Sequence, residues 1–204
     1  MKKAFTIIEL VIVMVAGAII AMVLVPRFAD SRLREAADQI VSHIRYTQHL
    51  AMIDDKFNPT DSQWYKMRWQ ISFRRCEDNN GWYYVVGYDS NKNDGVDKAG
   101  SAINPADGRR MFVSNTCTLQ EDESSEILIS DKYQIENIEF SDSCGDNQYI
   151  AFDNIGRPYA STLGVSPYDV MTGRCDITFL SSDGDFTISI ESETGYVHMT
   201  AIND

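Results

Sequence analysis

The sequence predicts an α+β fold: a long N-terminal α-helix, transmembrane in its first half and amphipathic in its second, packed on an antiparallel β-sheet head. Three observations carry this reading. Phe5 to Val25 holds a single charge, Glu9; the next 30 or so residues repeat apolar side chains at helical spacing; and everything after Thr60 alternates or clusters as short strands between turns.

The stretch 5–25 has 21 residues. At about 1.5 Å per residue it measures about 32 Å, enough to match a hydrocarbon core of about 30 Å. Lys2 and Lys3 precede it and predict a cytoplasmic N-terminus with the remainder sent across. An ordinary secretory signal is disfavoured, because the apolar run is too long and Pro26-Arg27-Phe28 follows it in place of a small-residue cleavage site. Glu9 is the anomaly. An ionised carboxylate in such a segment costs about 2.5 to 3.5 kcal/mol on insertion scales and calls for a partner. A cut between Ala4 and Phe5 would supply one, an α-ammonium four residues before Glu9 and one helical turn away.

Past Pro26 the helix turns amphipathic. Leu33, Ala37, Ile40, Ile44 and Ala51 form a stripe that Val41 and Leu50 widen, with Arg32, Arg34, Asp38 and Arg45 on other faces. Asn58-Pro59 is expected to end it, since the residue before a proline disfavours helical geometry. Tyr65 to Phe73 alternates apolar and polar and predicts a half-buried strand. Further strands are expected at 81–88, 110–113, 126–130, 134–140, 148–152, 176–180, 186–190 and 196–202. The last three are separated by the turn-forming segments 181–185 and 191–195.

Charge is unevenly distributed. Met1 to Asp55 holds six basic and six acidic residues, whereas Lys56 to Asp204 holds 12 basic and 24 acidic ones and so carries the whole net charge of -12. Such a head repels nucleic acid and anionic membrane surfaces at long range. Its doubled basic sites, Arg74-Arg75 and Arg109-Arg110, are the candidate nucleic-acid contacts, against the plainer reading of solvated charge at strand ends. The four cysteines, Cys76, Cys117, Cys144 and Cys175, form no CxxC motif. Two disulfides in an oxidising compartment are expected; three pairings are open, and Cys76 with Cys117 and Cys144 with Cys175 keeps both loops local.

Asp89, Asn91, Asn93 and Asp97 place oxygen ligands at alternate positions, as a calcium loop does. The glycine falls one place late, however, and no bidentate glutamate follows, so calcium stands beside a polar turn as the alternative. No other cofactor is implied. The histidines, His43, His49 and His198, belong to no HExxH motif, and no GxSxG or phosphate loop is present, so the chain does not read as an enzyme.

Lys3-Ala4, then Phe5-Thr6-Ile7-Ile8-Glu9-Leu10-Val11 and an apolar run ending in Pro26, resembles the class III signal and first helix half of type IV prepilins and pseudopilins. The resemblance implies a leader over 1–4, cleavage and methylation at the Ala4–Phe5 junction by a prepilin peptidase, an assembly role for Glu9, and a helix kink at Pro26. One departure is Ala4, where the family usually has glycine. Ile150 to Pro158, with its Phe-x-x-x-Gly-Arg-Pro turn, together with Gly195-Tyr196-Val197, is similar to the head of the minor pseudopilins of the H subfamily of type II secretion and to related minor pilins. The implied organisation is leader 1–4, transmembrane and assembly helix 5–25, amphipathic helix 26–57 and periplasmic head 58–204. The implied function is a structural subunit of a type II secretion pseudopilus or type IV pilus, with other pilin subunits, the peptidase and an inner-membrane assembly platform as partners. The expected location is the inner membrane, single-pass, and then the filament. The alternative is a filament-borne module binding DNA or a surface.

Overall fold

In the computed structural model, residues 7–78, 81–93, 95–145, 148–159, 168 and 170–203 are described, with the side chains of 21–31 left aside. The long helix α1 spans Ile7–Ile53 and runs through Pro26 as unbroken helix. Residues Ala4 and Phe5 lie outside the described residues. Eight strands follow: β1 (Gln70–Arg75), β2 (Trp82–Gly87), β3 (Ile135–Phe140), β4 (Tyr149–Phe152), β5 (Pro158–Tyr159), β6 (Cys175–Ser181), β7 (Gly184–Ile190) and β8 (Val197–Asn203), with a short helix α2 (Ile129–Tyr133) before β3. They form two four-stranded sheets, β2-β1-β4-β5 and β3-β6-β7-β8, antiparallel throughout. The head is α+β as expected but is built on two sheets.

The membrane-spanning half of α1 is corrected. Among the described residues no helix is long and apolar enough to cross a membrane. The fully described apolar stretch, Ile7–Ile20, is 14 residues, about 21 Å of helix against a core of about 30 Å. The transmembrane segment and the single-pass inner-membrane location expected from the sequence are therefore not supported.

The second half of α1 folds as its periodicity predicts. Leu33, Ala36, Ala37, Ile40, Ile44 and Thr47 are 0 or 1% exposed, while Arg34, Asp38 and Arg45 are exposed on the other faces. This stripe touches β1, β2 and β4 of one sheet and β7 and β8 of the other. The sheets also meet directly: Phe73 on β1 packs against Phe140 on β3 and Phe179 on β6, with ring centroids 6.0 and 5.5 Å apart.

Several local expectations fail for identifiable reasons. The helix ends at Ile53, ahead of Asn58-Pro59, where side-chain acceptors divert the chain: Asp55 takes the Phe57 amide, and Asp54 takes the Trp69 indole N–H. Of the expected strand 65–73 only 70–73 is strand, as the start of β1 (Gln70–Arg75), since Trp64–Met67 forms a 3-10 turn. Residues 70–73 are also buried on both faces of the strand, with α1 against β1 and Phe73 packed on Phe179 of the other sheet. Residues 126–130, read as strand, instead lie in a 3-10 turn that Ser124 caps by accepting the Glu126 amide, and in α2. At 110–113 only isolated bridges form. The C-terminal hairpins appear as expected, with Ser182-Asp183 turning between β6 and β7.

Both disulfides take the local pairing. Cys76–Cys117 and Cys144–Cys175 close loops of 41 and 31 residues, with Cα atoms 5.7 and 4.7 Å apart. Each such link stabilises by about 2 to 4 kcal/mol.

A polar network sits under α1. The His43 Nδ1 lies 2.5 Å from the Tyr84 hydroxyl, which also accepts from Gln39 at 3.0 Å. Gln39 in turn accepts from Tyr133 and Lys132 at 2.7 and 2.9 Å, and Lys132 pairs with Glu126. Burial pulls the His43 pKa down from 6.5 to about 4; Lys132 adds to the effect, while Glu126 and Asp107 oppose it. Below about pH 6.5 the unfolded chain takes up a proton that the folded one refuses, so stability falls as pH drops from there toward 4. Urea unfolding at pH 7.5 and 4.5 should show His43 contributing about 2 to 3 kcal/mol of that loss. The variant His43→Gln should show a shallower pH dependence by that amount, whatever its stability at neutral pH.

Candidate functional site

Two features of the described residues lack a purely architectural purpose: the exposed apolar arm at the start of α1, and a cavity at the opposite end of the same helix.

In the arm, Ile7 to Ile20 are all exposed, among them Ile7 at 85% and Met14 at 67%. Glu9 is exposed on this arm as its third described residue. Among the residues whose side chains are described, the head engages α1 only from Arg32 onward, first through the Arg32–Asp183 ion pair and then through the buried Leu33.

The cavity has a volume of about 310 Å³ and lies between the end of α1, the Trp64–Met67 turn and the β4–β5 connection. That connection is the Asp153-Asn154-Ile155-Gly156-Arg157 turn, and Asp153 organises it. Its Oδ1 accepts the amides of Ile155 and Arg157 at 3.1 and 2.9 Å, and its Oδ2 accepts the Arg157 Nε and the Tyr159 hydroxyl at 2.8 and 3.2 Å. The carboxylate's four lone-pair positions are thereby filled. The turn is fastened to α1 by Gln48, whose Nε2 donates to the carbonyls of Gly156 at 2.9 Å and Thr194 at 3.1 Å. The two C-terminal segments singled out in the sequence, 150–158 and 195–197, thus meet on one helix face.

Two caged cations line the cavity. The Arg68 guanidinium stacks 3.8 Å from the Tyr159 ring centroid and 5.0 Å from that of Trp64. Burial lowers its pKa, with Tyr159 and Asp153 opposing; an arginine stays protonated regardless. Lys56 lies 3.9 Å over Tyr88 and 5.6 Å from Trp69, and its Nζ is 2.6 Å from Asp54. Arg157, its pKa raised by the hydrogen bond it donates to Asp153, completes the group. Sequence reasoning did not find this cluster, because its members come from 54–57, 64–69 and 152–159. The one local signal was the density of rings and cations in Trp64-Tyr65-Lys66-Met67-Arg68-Trp69.

The other candidates resolve differently. In the calcium loop the carboxylates face the loop's own donors: Asp89 accepts the amides of Asn93 and Gly95, and Asp97 accepts the Ser90 amide and hydroxyl and the Gly100 amide. Asn91 likewise accepts the Asn93 amide. Burial would raise the Asp97 pKa, but these hydrogen bonds outweigh it and hold the carboxyl below its ordinary value. Among the described residues no group of three or more histidine, cysteine, aspartate or glutamate side chains could hold a metal ion, and the loop's acceptors take its own amides and the Ser90 hydroxyl, the arrangement of the polar-turn alternative. Three of the four doubled arginines have partners within the head. Arg74 interacts with the Tyr83 hydroxyl, Arg75 stacks 5.1 Å from the Trp82 ring, and Arg110 donates to the Lys98 carbonyl and pairs with Asp122. Arg109 is exposed on a turn.

No protein-family model matches the chain, and no curated protein or solved structure does.

The contact between the Gly156 turn and the Gly195 turn admits no side chain. Gly195 has φ +63°, and a Cβ there would lie 2.3 Å from the Gly156 carbonyl oxygen and 2.6 Å from the Gln48 Nε2. Gly108 has a similar φ of +70° with nothing within 4 Å. Gly195→Ala should therefore destabilise by at least about 2 kcal/mol in thermal or urea unfolding, whereas Gly108→Ala should cost about 1 kcal/mol, the backbone strain alone.

Proposed function

We propose that the protein is a structural subunit of a type IV pilin-like filament, a minor pseudopilin of type II secretion or a related minor pilin, which joins the filament through its N-terminal helix. The observation that carries the reading is the exposed arm. A helix apolar on every face is stable only when surrounded, and Ile7 to Ile20 is covered by nothing in its own chain among the described residues. Arms of neighbouring subunits packed side by side are the surroundings that fit its length and composition.

Glu9 gives such packing a register. In a bundle of apolar helices an uncompensated carboxylate is strongly disfavoured, so the arrangement that brings Glu9 to the N-terminal ammonium of a processed neighbour is selected over others. The two disulfides fit a head that works in an oxidising compartment. The Phe5-to-Val11 motif and the Gly156-Arg157-Pro158 turn support the same family. The rival reading, a DNA-binding module, draws less support, since Arg74, Arg75 and Arg110 are engaged within the head.

Intact mass of the protein from cells with and without a prepilin peptidase should show loss of Met1 to Ala4 plus one methyl group only when the peptidase is present. The variant Glu9→Ala should be processed normally yet drop about tenfold or more in purified filaments, the scale set by leaving a buried charge uncompensated. An unprocessed mass in both strains, or normal incorporation of the variant, would overturn the proposal.

A further inference from the structure

The two disulfides have different surroundings. Cys144, in the Asp142–Cys144 turn, and Cys175, at the start of β6, are both 0% exposed, and the Ser141 hydroxyl lies 3.4 Å from the Cys144 Sγ. Cys76 is 7% exposed and Cys117 is only partly buried. A cavity of about 200 Å³ has both of these in its wall, together with Asp78, Gly81, Trp82 and Asp131. Position 81 helps to keep it open, since a Cβ there would lie 3.1 Å from the Ser130 Cβ and 3.8 Å from the Cys76 Sγ. A water takes about 30 Å³ of liquid, so the space holds several waters or the thiol end of a small molecule.

A disulfide opens when a thiolate reaches one of its sulfurs, so access decides which of two bridges reacts. Cys117 is the less buried partner. A thiolate bonding to its Sγ breaks the S–S bond, and the electron pair leaves on the Cys76 Sγ, which takes up the proton that the entering thiol gave up. A second thiolate then attacks the small-molecule sulfur of this mixed disulfide and releases Cys117 as a thiol. Two thiols are oxidised to one disulfide, and one protein disulfide is reduced.

Charge selects among thiols. Asp78 and Asp131 lie in the cavity wall, where no lysine, arginine or histidine stands among the described residues; Arg75, 5.1 Å from the Trp82 ring, is the cation packed on that wall. The chain's net charge of -12 adds long-range repulsion of an anion.

The bridge fastens a turn to the end of β1. Cys117 sits at φ +54°, uncommon for a residue with a side chain. Its amide donates to the Ser114 carbonyl at 2.9 Å, and the Glu77 amide donates to that of Asn115 at 2.8 Å. Asn115, Thr116 and Thr118 are exposed, so loosening this turn leaves the core in place.

We propose that Cys76–Cys117 is a thiol-exchange site, opened in the folded head by a small neutral or cationic thiol, and that its opening frees the 114–117 turn while Cys144–Cys175 stays closed. This inference stands apart from the filament reading.

The test treats the full chain, dispersed in a mild detergent without denaturant, with cysteamine and separately with mercaptoethanesulfonate. Free thiols are trapped by alkylation at successive times and located by peptide mass. Cys76 and Cys117 are expected to be alkylated at least about tenfold faster than Cys144 and Cys175, with the transient mixed disulfide on Cys117. With each rate divided by that thiol's rate on a small neutral disulfide, the cationic thiol should lead by about threefold or more at low salt, and the lead should shrink at high salt. Amide exchange should rise at 115–118 and stay unchanged in β6 and β7. Equal rates at the two bridges, opening of Cys76–Cys117 only once the far-UV circular dichroism is lost, or an anionic thiol that keeps pace with the cationic one would overturn the proposal.

Discussion

The whole head hangs on the buried stripe of α1. From Leu33 to Ala51 the helix lays one face across both sheets, and small side chains at Ala36 and Ala37 let it approach closely. Without that face the two sheets would share only the Phe73, Phe140 and Phe179 cluster and a few flanking contacts. The helix also answers the polar needs of the loops it crosses. Gln39 donates to the Glu126 carbonyl, Arg45 to that of Val197, Tyr46 to that of Ile103, and Gln48 to those of Gly156 and Thr194. Each bond contributes about 0.5 to 1.5 kcal/mol net, but losing one leaves a carbonyl without its donor, so the set fixes where each loop sits.

This arrangement gives the two ends of one helix different surroundings. At one end Ile7 to Ile20 are exposed; at the other the packing places the Asp153 turn and the Trp64–Met67 turn close enough to enclose a cavity. Because α1 is continuous from Ile7 to Ile53, the arm and the head move as parts of one rigid element wherever that helix stays intact. On the filament reading proposed above, the arm would be the part held by neighbours and the head the part left outside the bundle.

Much of the fold was legible in the sequence wherever a period or a covalent rule dictated it. The stripe from Leu33 to Ala51 and the hairpin turn before Gly184 were readable because their spacings belong to one structure each. The local disulfide pairing was one of three allowed by the cysteine count. Short apolar runs were not so readable. Glu126 to Ser130 looks like a strand by composition, and only the Ser124 cap and the burial of Ile127 and Ile129 reveal it as helical turns. The apolar segment 5–25 read as a membrane span on length, and the described part of it is shorter than a bilayer requires. The cavity was the least legible feature. Lys56, Arg68 and Arg157 are ordinary cations in sequence, and it takes the ends of α1, the 3-10 turn and the β4–β5 connection to bring them together.

The central claim is that the arm exists to be packed by other subunits, and a photo-crosslinking residue at Ile12 addresses it directly. Ile12 is 61% exposed and lies midway along the described arm. Irradiation in cells should give covalent products joining this residue to the N-terminal helix of another copy or of another filament subunit, and Glu9→Ala should reduce them. Products confined to the chain's own head, or to lipid alone with no subunit-to-subunit adduct, would contradict the account.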